Sequence, residues 1–338
     1  MRTMRRWRFW VGVVISAVFL WWALRGLSLS ELARELPGIQ YWWLAPAVAV
    51  YFLGVWVRTW RWHYLLRPIK ALSLGLLFPI VAMGYAGNNI FPARAGEVLR
   101  AVVLKRHNGV AISASLATII VERVYDGVVM LAFVFINLPE LALLTADSGF
   151  VGDIRSLALA GTAAFFGALL LFLLAAMYPK RAYTLAEISF KRLAPEKYRA
   201  KLLGITGKFL GGLEALRSPR DAVMIFVTSV IIWLLETVKY WLLMHAFPFE
   251  VSFFTLMLMN GISNLVTTLP SAPGYLGTFD ASGIAVLTAF GVDRPLAAVY
   301  TLVLHAALWL PITALGLYYM AREGIRWGAE LEQARIEG

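Results

Sequence analysis

The sequence predicts an all-α membrane protein that crosses the bilayer several times. Hydrophobic residues make up 60% of the chain and charged residues only 15%, and the mean hydropathy is +0.71. A soluble domain has about 45–50% apolar and about 25% charged residues, so this composition excludes an ordinary soluble enzyme. The apolar runs are continuous, whereas the strands of a membrane barrel alternate apolar and polar residues. Because a transmembrane helix takes about 20 residues, the chain has room for roughly eight.

The individual spans follow from the apolar runs. The first run comes after four arginines in residues 1–8 and lacks a small-residue cleavage site, which predicts a retained helix rather than a signal peptide. A weaker apolar stretch, Ala281–Phe290, separates the last two runs. The predicted spans are Trp7–Leu24, Tyr41–Leu66, Leu74–Phe91, Ile112–Leu138, Ser156–Tyr178, Asp221–Phe247, Ser252–Leu269 and Leu296–Met320.

The charges between the spans predict the sidedness. Residues 179–220 hold ten Lys or Arg against three acids, and residues 139–155 hold three acids against one Arg. Basic loops stay in the cytoplasm, so 179–220 is predicted inside, with amphipathic helices on the membrane surface, and 139–155 outside. The basic residues that close the second span mark its cytoplasmic end, namely Arg58, Arg61, Arg67 and Lys70. The prediction is a multi-pass protein of the plasma (inner) membrane with both termini cytoplasmic, and the net charge of +11 needs no nucleic-acid partner.

Two segments must enter and leave the membrane on the same side. The spans that begin at Leu74 and Ile112 both start inside, so residues 74–107 form a re-entrant hairpin, and the same counting makes 252–293 another. A broken backbone at membrane depth is tolerated only where protein buries it or where it lines a wet cavity. The predicted break residues are Pro92 and Gly96 in the first segment, and Pro270, Pro273, Gly274 and Gly277 in the second.

Similarity between the broken segments predicts an inverted repeat. In each, a proline and a glycine lie four residues apart after an asparagine, and a Gly-Val pair and an apolar helix with an ionisable residue follow. One unit begins outside and the other inside, which is the plan of many secondary transporters. The predicted organisation of the single membrane domain 1–338 is an N-terminal helix and linker (7–40), a first repeat (41–138), an outer loop, helix and basic segment (139–220), a second repeat (221–320) and a tail (321–338).

A first cluster of charges lies at the first break. Charges inside a bilayer are costly and call for a partner or a function. Arg94 lies in the break, and Glu97 and Arg100 follow it one helical turn apart. An arginine fork suits phosphate or carboxylate, and a helix that begins near Gly96 would direct free N–H groups at an anion. The cluster therefore predicts a phosphate-headgroup site, and the alternative is a structural Glu97–Arg100 pair.

A second cluster lies in the middle of a span. Glu122 and Asp126 share a helix face, and Arg123 can pair with Asp126. The remaining negative charge requires either another base, such as Arg94 or Arg100, or a protonated carboxyl group. The functional interpretation is a cavity wall or a proton relay, and the structural one is a buried ion-pair network that fixes packing.

The second half supplies further polar groups. Glu236 and Lys239 are predicted to pair, Asp280 follows the second break, and His305 is a lone histidine in the last span that could titrate near neutrality. Four asparagines precede the breaks and are expected mainly to satisfy freed backbone groups, with substrate contact second. These asparagines are Asn88, Asn89, Asn260 and Asn264.

No catalytic or metal-binding pattern is found in the sequence. It contains no His-Glu-x-x-His, Gly-x-Ser-x-Gly or Walker A motif, no cysteine, and four scattered histidines. The sequence therefore leads us to expect no metal, no cofactor and no enzymatic activity.

The clusters also resemble a known family. The stretch Asn88–Arg100, NNIFPARAGEVLR, followed by Val121–Asp126, VERVYD, resembles the first-half signature of the lysylphosphatidylglycerol synthase transmembrane, or flippase-like, family. Leu269–Gly277, LPSAPGYLG, resembles its second-half signature, and the resemblance spans 10–320. It implies movement of polar lipids between leaflets, namely aminoacylated phosphatidylglycerol in the name-giving branch and polyprenyl-linked or hopanoid lipids in others. The name-giving proteins carry a C-terminal aminoacyl-transferase domain, which this sequence lacks, so synthase activity is not expected here.

Together these observations predict a lipid translocase that moves a polar or anionic-headgroup lipid through a central cavity. Its expected partner is a membrane phospholipid or polyprenyl-linked lipid, and a homo-oligomer or a separate partner synthase would fit the same sequence. Two alternatives stay open, an ion- or proton-coupled transporter of a small anionic solute and a membrane-embedded lipid-modifying transferase. The predicted substrate-contacting residues are Asn88, Asn89, Arg94, Glu97, Arg100, Glu122, Arg123, Asp126, Asp280 and His305.

Overall fold

Helices make up the regular structure of the described chain. The computed structural model describes residues 2–91, 94–144, 163, 166–193, 195–268 and 271–324. These ranges contain no strand, which confirms the predicted all-α class. The helices are α1 (Arg2–Leu24), α2 (Leu29–Glu35), α3 (Leu44–Leu66), α4 (Leu74–Ile90), α5 (Ala95–Asn108), α6 (Ile112–Leu144), α7 (Phe166–Met177), α8 (Pro179–Leu193), α9 (Glu196–Gly212), α10 (Pro219–Met244), α11 (Phe253–Val266), α12 (Thr278–Ala289) and α13 (Arg294–Arg322).

Several of these helices suit a membrane. By length and composition, α10 and α13 can each cross one, and a third span results if Ser30–Gly38 and Tyr41–Leu66, which meet at 78°, are counted together. Helices α4 and α11 are apolar but shorter, as expected for the first arms of broken spans. The chain is a helical polytopic membrane protein, and the number of about eight spans stays a prediction.

Both predicted breaks are found between the arms of helical hairpins. Helix α4 packs along α5, and α11 packs along α12. The first break runs from 91 to 94 and the second from 267 to 277. Each second arm begins after a residue in the left-handed region, Arg94 with φ of 52° and Gly277 with φ of 83°. Pro92 and Pro270 lie outside the described residues.

The two breaks correspond in a different register from the one that the sequence suggested. The spacing from proline aligned Gly96 with Gly274, but Gly96 lies within α5, whereas Gly274 lies in the second break with φ of 71°. Counted from the start of each second arm, Arg94 corresponds to Gly277 and Glu97 to Asp280. The second break is longer because it contains an additional 3₁₀ turn, Pro273–Tyr275.

The long helices of each half of the chain pack against helices of the other half. Helix α3 packs against α10, α4 against α13, and α11 against α6. Exchanging the halves converts the α4–α13 contact into the α11–α6 contact and leaves the α3–α10 contact unchanged. This is the packing expected of two units related by a pseudo-two-fold axis. The repeat boundaries 41–138 and 221–320 stay predictions.

The structure tests the remaining predictions only in part. The basic segment 179–220 contains α8 and α9, so its predicted helices are present, while their contact with a membrane surface stays a prediction. Most of the 139–155 loop, much of the Ser156–Tyr178 span and the tail beyond 324 lie outside the described residues. The sidedness of the termini also stays a prediction.

The first hairpin is closed by contact between two glycines. A Cβ atom on Gly96 would overlap the carbonyl oxygen of Gly84 and lie 2.7 Å from the backbone nitrogen of Asn88. The Gly96 N–H donates to Asn88 Oδ1 at 2.9 Å, so this asparagine satisfies a freed backbone group, as predicted. The position of α5, and of the charges that it carries, therefore depends on the absence of a side chain at Gly96.

Ordinary overpacking of a core costs about 1–3 kcal/mol. We expect Gly96→Ala to lower the free energy of unfolding by more than this, because backbone atoms must move to admit the methyl group. Gly75→Ala in α4 is the control, since a Cβ there meets nothing within 4 Å. Thermal unfolding in detergent measures both. Equal unfolding temperatures for the two variants would show that this contact does not constrain the hairpin.

Candidate functional site

One cavity of about 220 Å³ lies where the two breaks meet the long helices. Residues from α3, α5, α6 and α10 give it a charged wall, and the breaks and α13 give it amide, hydroxyl and aromatic groups. Among the described lining residues, leaving His305 aside, six bases and four acids give a formal charge of +2. These charged residues are Arg58, Arg61, Arg94, Arg100, Arg123, Lys239, Glu97, Glu122, Asp126 and Glu236.

Asp126 is the centre of the charged wall. Its Oδ1 accepts from Arg61 Nη1 at 2.6 Å and from Trp233 Nε1 at 2.9 Å, and its Oδ2 accepts from Arg61 Nη2 at 3.3 Å. Arg123 and Arg58 lie 3.4 Å and 3.7 Å from Oδ2, so the predicted Arg123–Asp126 pair is confirmed. The carboxylate is 1% exposed and connects α6 to α3 and α10. Three cations around one buried anion make protonation of Asp126 unnecessary.

Arg61 and Arg100 complete the second predicted cluster. Arg100 Nη1 donates to Glu122 Oε2 at 3.0 Å, and Arg61 Nε lies 3.8 Å from Glu122 Oε1. The guanidinium carbon of Arg100 is 4.0 Å from the ring centre of Trp62. The alternative of a Glu97–Arg100 pair is therefore wrong, because Arg100 is directed at α6.

The interpretation of Arg58 and Arg61 as cytoplasmic flanking charges is also wrong. The two residues are 8% and 0% exposed and belong to the buried wall. A linear sequence does not distinguish an arginine that ends a span from one that is paired inside it. The available signal was their spacing of three residues, which puts both on one face of an apolar helix.

The accessible part of the charged wall is a triad of Arg94, Glu97 and Arg123. Glu97 Oε1 lies 3.8 Å from Arg94 Nη1 and 3.6 Å from Arg123 Nε, which is too long for good hydrogen bonds. The side chains of Arg94 and Arg123 are 29% and 35% exposed, against 2% for Asp126. One carboxylate between two guanidinium groups leaves a positive charge at the accessible end of the wall.

Arg94 occupies this place at a cost in backbone conformation. Its φ of 52° and ψ of 38° are left-handed, a region that non-glycine residues rarely adopt, and the corresponding residue of the second hairpin is a glycine. Its Nη2 donates to the carbonyl oxygen of Thr267 at 3.3 Å, and its guanidinium carbon lies 5.8 Å from the ring centre of Tyr275. The side chain of Arg94 thus connects the first break to the second.

Several arginine nitrogens around the cavity have spare hydrogen-bonding capacity. Within the described residues, five buried nitrogens of lining arginines have no hydrogen-bond partner. A guanidinium has five N–H donors and no acceptor, and these five nitrogens have almost no accessible surface, so they belong to the buried part of the wall. The nitrogens are Nε of Arg58, Arg61, Arg100 and Arg123, and Nη2 of Arg100.

Helix α10 adds a separate ion pair to the same wall. Lys239 Nζ donates to Glu236, which confirms the predicted pair, and Arg58 Nη2 donates to the other oxygen of Glu236 at 3.2 Å. Lys239 Nζ also lies 4.5 Å from the ring centre of Tyr51. This lysine is 2% exposed, and its charge is fully partnered.

On the opposite side, His305 joins α13 to the second hairpin. Its Nδ1 lies 2.8 Å from Asp280 Oδ1, and its Nε2 lies 2.8 Å from the carbonyl oxygen of Gly274. The Gly277 N–H donates to the other oxygen of Asp280 at 2.8 Å. The lone histidine of the last predicted span is therefore one half of a buried acid–base pair.

The asparagines hold the breaks in place. Asn89 Nδ2 donates to Thr313 Oγ1 at 2.8 Å, and its carbonyl accepts from Trp309 Nε1 at 3.3 Å. Asn264 Nδ2 donates to the carbonyl oxygen of Asn260 at 2.8 Å. The Asn89 contact joins α4 to α13 and the Asn264 contact lies within α11, so their predicted role at freed backbone groups stays a prediction.

The structure brings the predicted residues together. Nine of the ten predicted substrate-contacting residues line this cavity, and Asp280 lies behind His305. Sequence reasoning missed Arg58, Arg61, Trp233 and Trp309, which reach the cavity from distant segments. Within the described residues, no group of three or more histidines and carboxylates is placed to hold a metal ion.

Comparison with known proteins gives the family. The profile of the lysylphosphatidylglycerol synthase TM region matches residues 9–316. The chain belongs to this family. No solved structure is significantly similar to the chain.

Several known proteins are similar to most of the chain. The chain is 25% identical to a UPF0104 membrane protein of Methanothermobacter thermautotrophicus, over 94% of each chain, and 24% identical to UPF0104 membrane protein PH1989 of Pyrococcus horikoshii, over 90% of this chain and 93% of that one. It is also 25% identical to glycosyltransferase AglD of Haloferax volcanii over 93% of its length. It spans about half of that relative, 54%.

The glycosyltransferase corrects one expectation. We expected no enzymatic activity because no catalytic motif was found, but a relative that matches almost the whole chain is named as an enzyme. The absence of a catalytic motif was weak support for that expectation, because catalytic groups can come together from distant segments of the chain. The cavity does bring together carboxylates and bases from distant segments.

We expect Asp126→Asn to destabilise the fold by about 3–5 kcal/mol, because it removes the carboxylate that lies closest to the fully buried Arg61. Glu187→Gln is the control, since Glu187 pairs with Lys191 at 2.8 Å on the exposed face of α8 and should change stability by no more than about 0.5 kcal/mol. Chemical unfolding followed by tryptophan fluorescence measures both. A small effect of Asp126→Asn would mean that the network does not hold the helices together.

Proposed function

We propose that the protein is a lipid translocase whose cavity binds the phosphate-bearing headgroup of a membrane lipid and carries it between leaflets. The observation that carries the proposal is the excess of positive charge on the cavity lining, which is accessible at Arg94 and Arg123. An anionic group balances this charge, and guanidinium groups bind phosphate through paired N–H···O bonds.

The charged wall divides into a support and a contact region. Arg61, Glu122 and Asp126 are almost fully buried and mutually paired, so they hold α3 and α6 in place. Arg94 and Arg123 are partly exposed and only loosely paired with Glu97. In the proposal, phosphate oxygens replace Glu97 as the partner of these two arginines, and Glu97 contacts any cationic substituent of the headgroup.

The position of the cavity explains why a lipid headgroup suits it better than a soluble anion. The site lies between two broken hairpins in a chain built of apolar helices, where a headgroup can be sheltered while its acyl chains stay in the bilayer. Polar surroundings inside the membrane lower the large cost of moving a charged headgroup across it. Membership of the lysylphosphatidylglycerol synthase TM family also supports a lipid substrate.

A second candidate function follows from the glycosyltransferase relative. The cavity could hold a lipid-linked phosphate for a transfer reaction, either in this chain or with a partner enzyme. The same geometry binds the phosphate in both cases. The two functions differ in the product, since translocation leaves the lipid unchanged and transfer alters its mass.

Arg94→Gly gives a sharp test of the proposed function. Glycine adopts the left-handed backbone without strain, so we expect stability within about 1 kcal/mol of the parent or above it. Loss of a hydrogen bond to a charged group costs about 1.5–3 kcal/mol, so translocation of anionic lipid should fall about tenfold or more. Arg34→Ala, on exposed α2 and away from the cavity, should leave both quantities unchanged.

The assay uses purified protein in liposomes with headgroup-labelled phosphatidylglycerol, lysylphosphatidylglycerol or polyprenyl phosphate, and a membrane-impermeant quencher. Inorganic phosphate as competitor distinguishes a lipid site from a soluble-anion site, and mass spectrometry of the lipids detects transfer. Crossing at the parent rate in folded Arg94→Gly would refute the assigned role of the arginine. No crossing by any lipid, with tight binding of inorganic phosphate, would favour the soluble-anion transporter.

A further inference from the structure

The two hairpins carry the same kind of ion pair, but with different acid–base chemistry. Arg123 and His305 are each the twelfth residue of their long helices, α6 and α13, and Glu97 and Asp280 are each the third residue of α5 and α12. Each base contacts the acid of its own half, at 3.6 Å in the first and 2.8 Å in the second. An arginine is always charged, whereas an unperturbed histidine changes charge near pH 6.5.

The two hydrogen-bond contacts of the His305 ring fix how many protons the His305–Asp280 pair holds. Both of its ring nitrogens face acceptors, the carboxylate of Asp280 and the carbonyl of Gly274, each at 2.8 Å. A neutral imidazole has one N–H, so both contacts form only when the His305–Asp280 pair holds two protons. The formal charge of the pair is then zero, whichever of the two groups holds the shared proton. Loss of one proton makes the pair negative and breaks one contact.

Loss of the contact between His305 Nε2 and the Gly274 carbonyl would affect the second break directly. Gly274 is held in the left-handed region, and a Cβ there would lie 2.7 Å from Trp309 Nε1. The same Trp309 nitrogen donates to the Asn89 carbonyl at the first break. His305, Gly274 and Trp309 therefore form one tightly packed contact between the two hairpins.

The titratable and charged groups on the elements packed around His305 are as follows. Helix α12 supplies Asp280, and α2 carries charged residues that do not line the cavity. The charged lining residues of α3, α10 and the first break are Arg58, Arg61, Glu236, Lys239 and Arg94, and the lining tyrosines of α3, α4 and the second break are Tyr51, Tyr85 and Tyr275. Each of these charged residues already has an ion-pair partner. The His305–Asp280 pair contains the one histidine of the described lining.

We propose that the His305–Asp280 pair is the binding site of a proton that the protein takes up when an anionic headgroup occupies the cavity, an inference that rests on the function proposed above. The proton comes from water or buffer and adds to the pair at a ring nitrogen of His305, and no bond of the lipid changes. A neutral pair leaves the excess positive charge of the lining intact, whereas a negative pair opposes the anion. Linkage is reciprocal, so the anion in turn favours proton uptake.

Calorimetry of the full chain in detergent tests this proposal with dihexanoyl phosphatidylglycerol as the probe, because its phosphodiester keeps one fixed negative charge. Binding is measured in two buffers of different ionisation enthalpy at about one pH unit above the ordinary pKa of histidine. We expect uptake of up to one proton per lipid and an affinity that falls up to tenfold per pH unit as the pH rises.

Two variants test whether the proton binds at His305. His305→Gln should bind the lipid without proton uptake and with an affinity independent of pH. His63→Gln is the matched control, since His63 contacts the Leu72 carbonyl at 2.7 Å away from the cavity, and it should behave as the parent does. If His305→Gln does not fold, Asp280→Asn replaces it, because loss of the carboxylate should also reduce the uptake.

The outcomes separate this inference from the proposed function. Lipid binding without proton uptake by the parent, or with uptake retained in His305→Gln, overturns the proton site and leaves the proposed function standing. Absence of phosphatidylglycerol binding by a folded parent, together with unchanged lipid crossing in Arg94→Gly, overturns both.

Discussion

The buried carboxylate of Asp126 is the constraint on which the rest of the molecule depends. It holds Arg61 of α3 and Trp233 of α10 at hydrogen-bond distance from α6, in surroundings where an unpaired charge would be very costly. Once Asp126 fixes Arg61, Arg61 also faces Glu122, and Glu122 accepts from Arg100 of α5. A single chain of charges thus connects α10, α3, α6 and α5, and sets the position of the first hairpin.

This buried network gives the cavity its character. A wall in which all charges cancelled would have no net attraction for an anion. Here the bases outnumber the acids, and the excess lies at the accessible end, at Arg94 and Arg123. The strained backbone of Arg94 agrees with this division. The equivalent residue in the second hairpin is Gly277, so the turn itself favours glycine, and the arginine is accommodated there for its side chain.

The two halves use one architecture for different chemistry. In the first half a permanently charged arginine faces a loosely held glutamate, and in the second a histidine faces a tightly held aspartate that also accepts from a backbone N–H. Equivalent positions therefore give one half a fixed charge for a ligand and the other a titratable pair. Trp309 contacts both breaks, since its ring nitrogen donates to the Asn89 backbone carbonyl and packs against Gly274.

The sequence by itself determined the helical membrane class, both broken segments, and the side chains Arg94, Glu97, Arg123 and His305 as candidates, because apolar runs, Pro-Gly breaks and charges in apolar segments are local signals. Only the tertiary structure decided which charges pair between different helices, that Arg58 and Arg61 are buried, and that Glu97 corresponds to Asp280 although the Pro-Gly spacing aligned Gly96 with Gly274. The physical reason is that ion pairing depends on distances between helices far apart in the chain, and no local pattern encodes those distances.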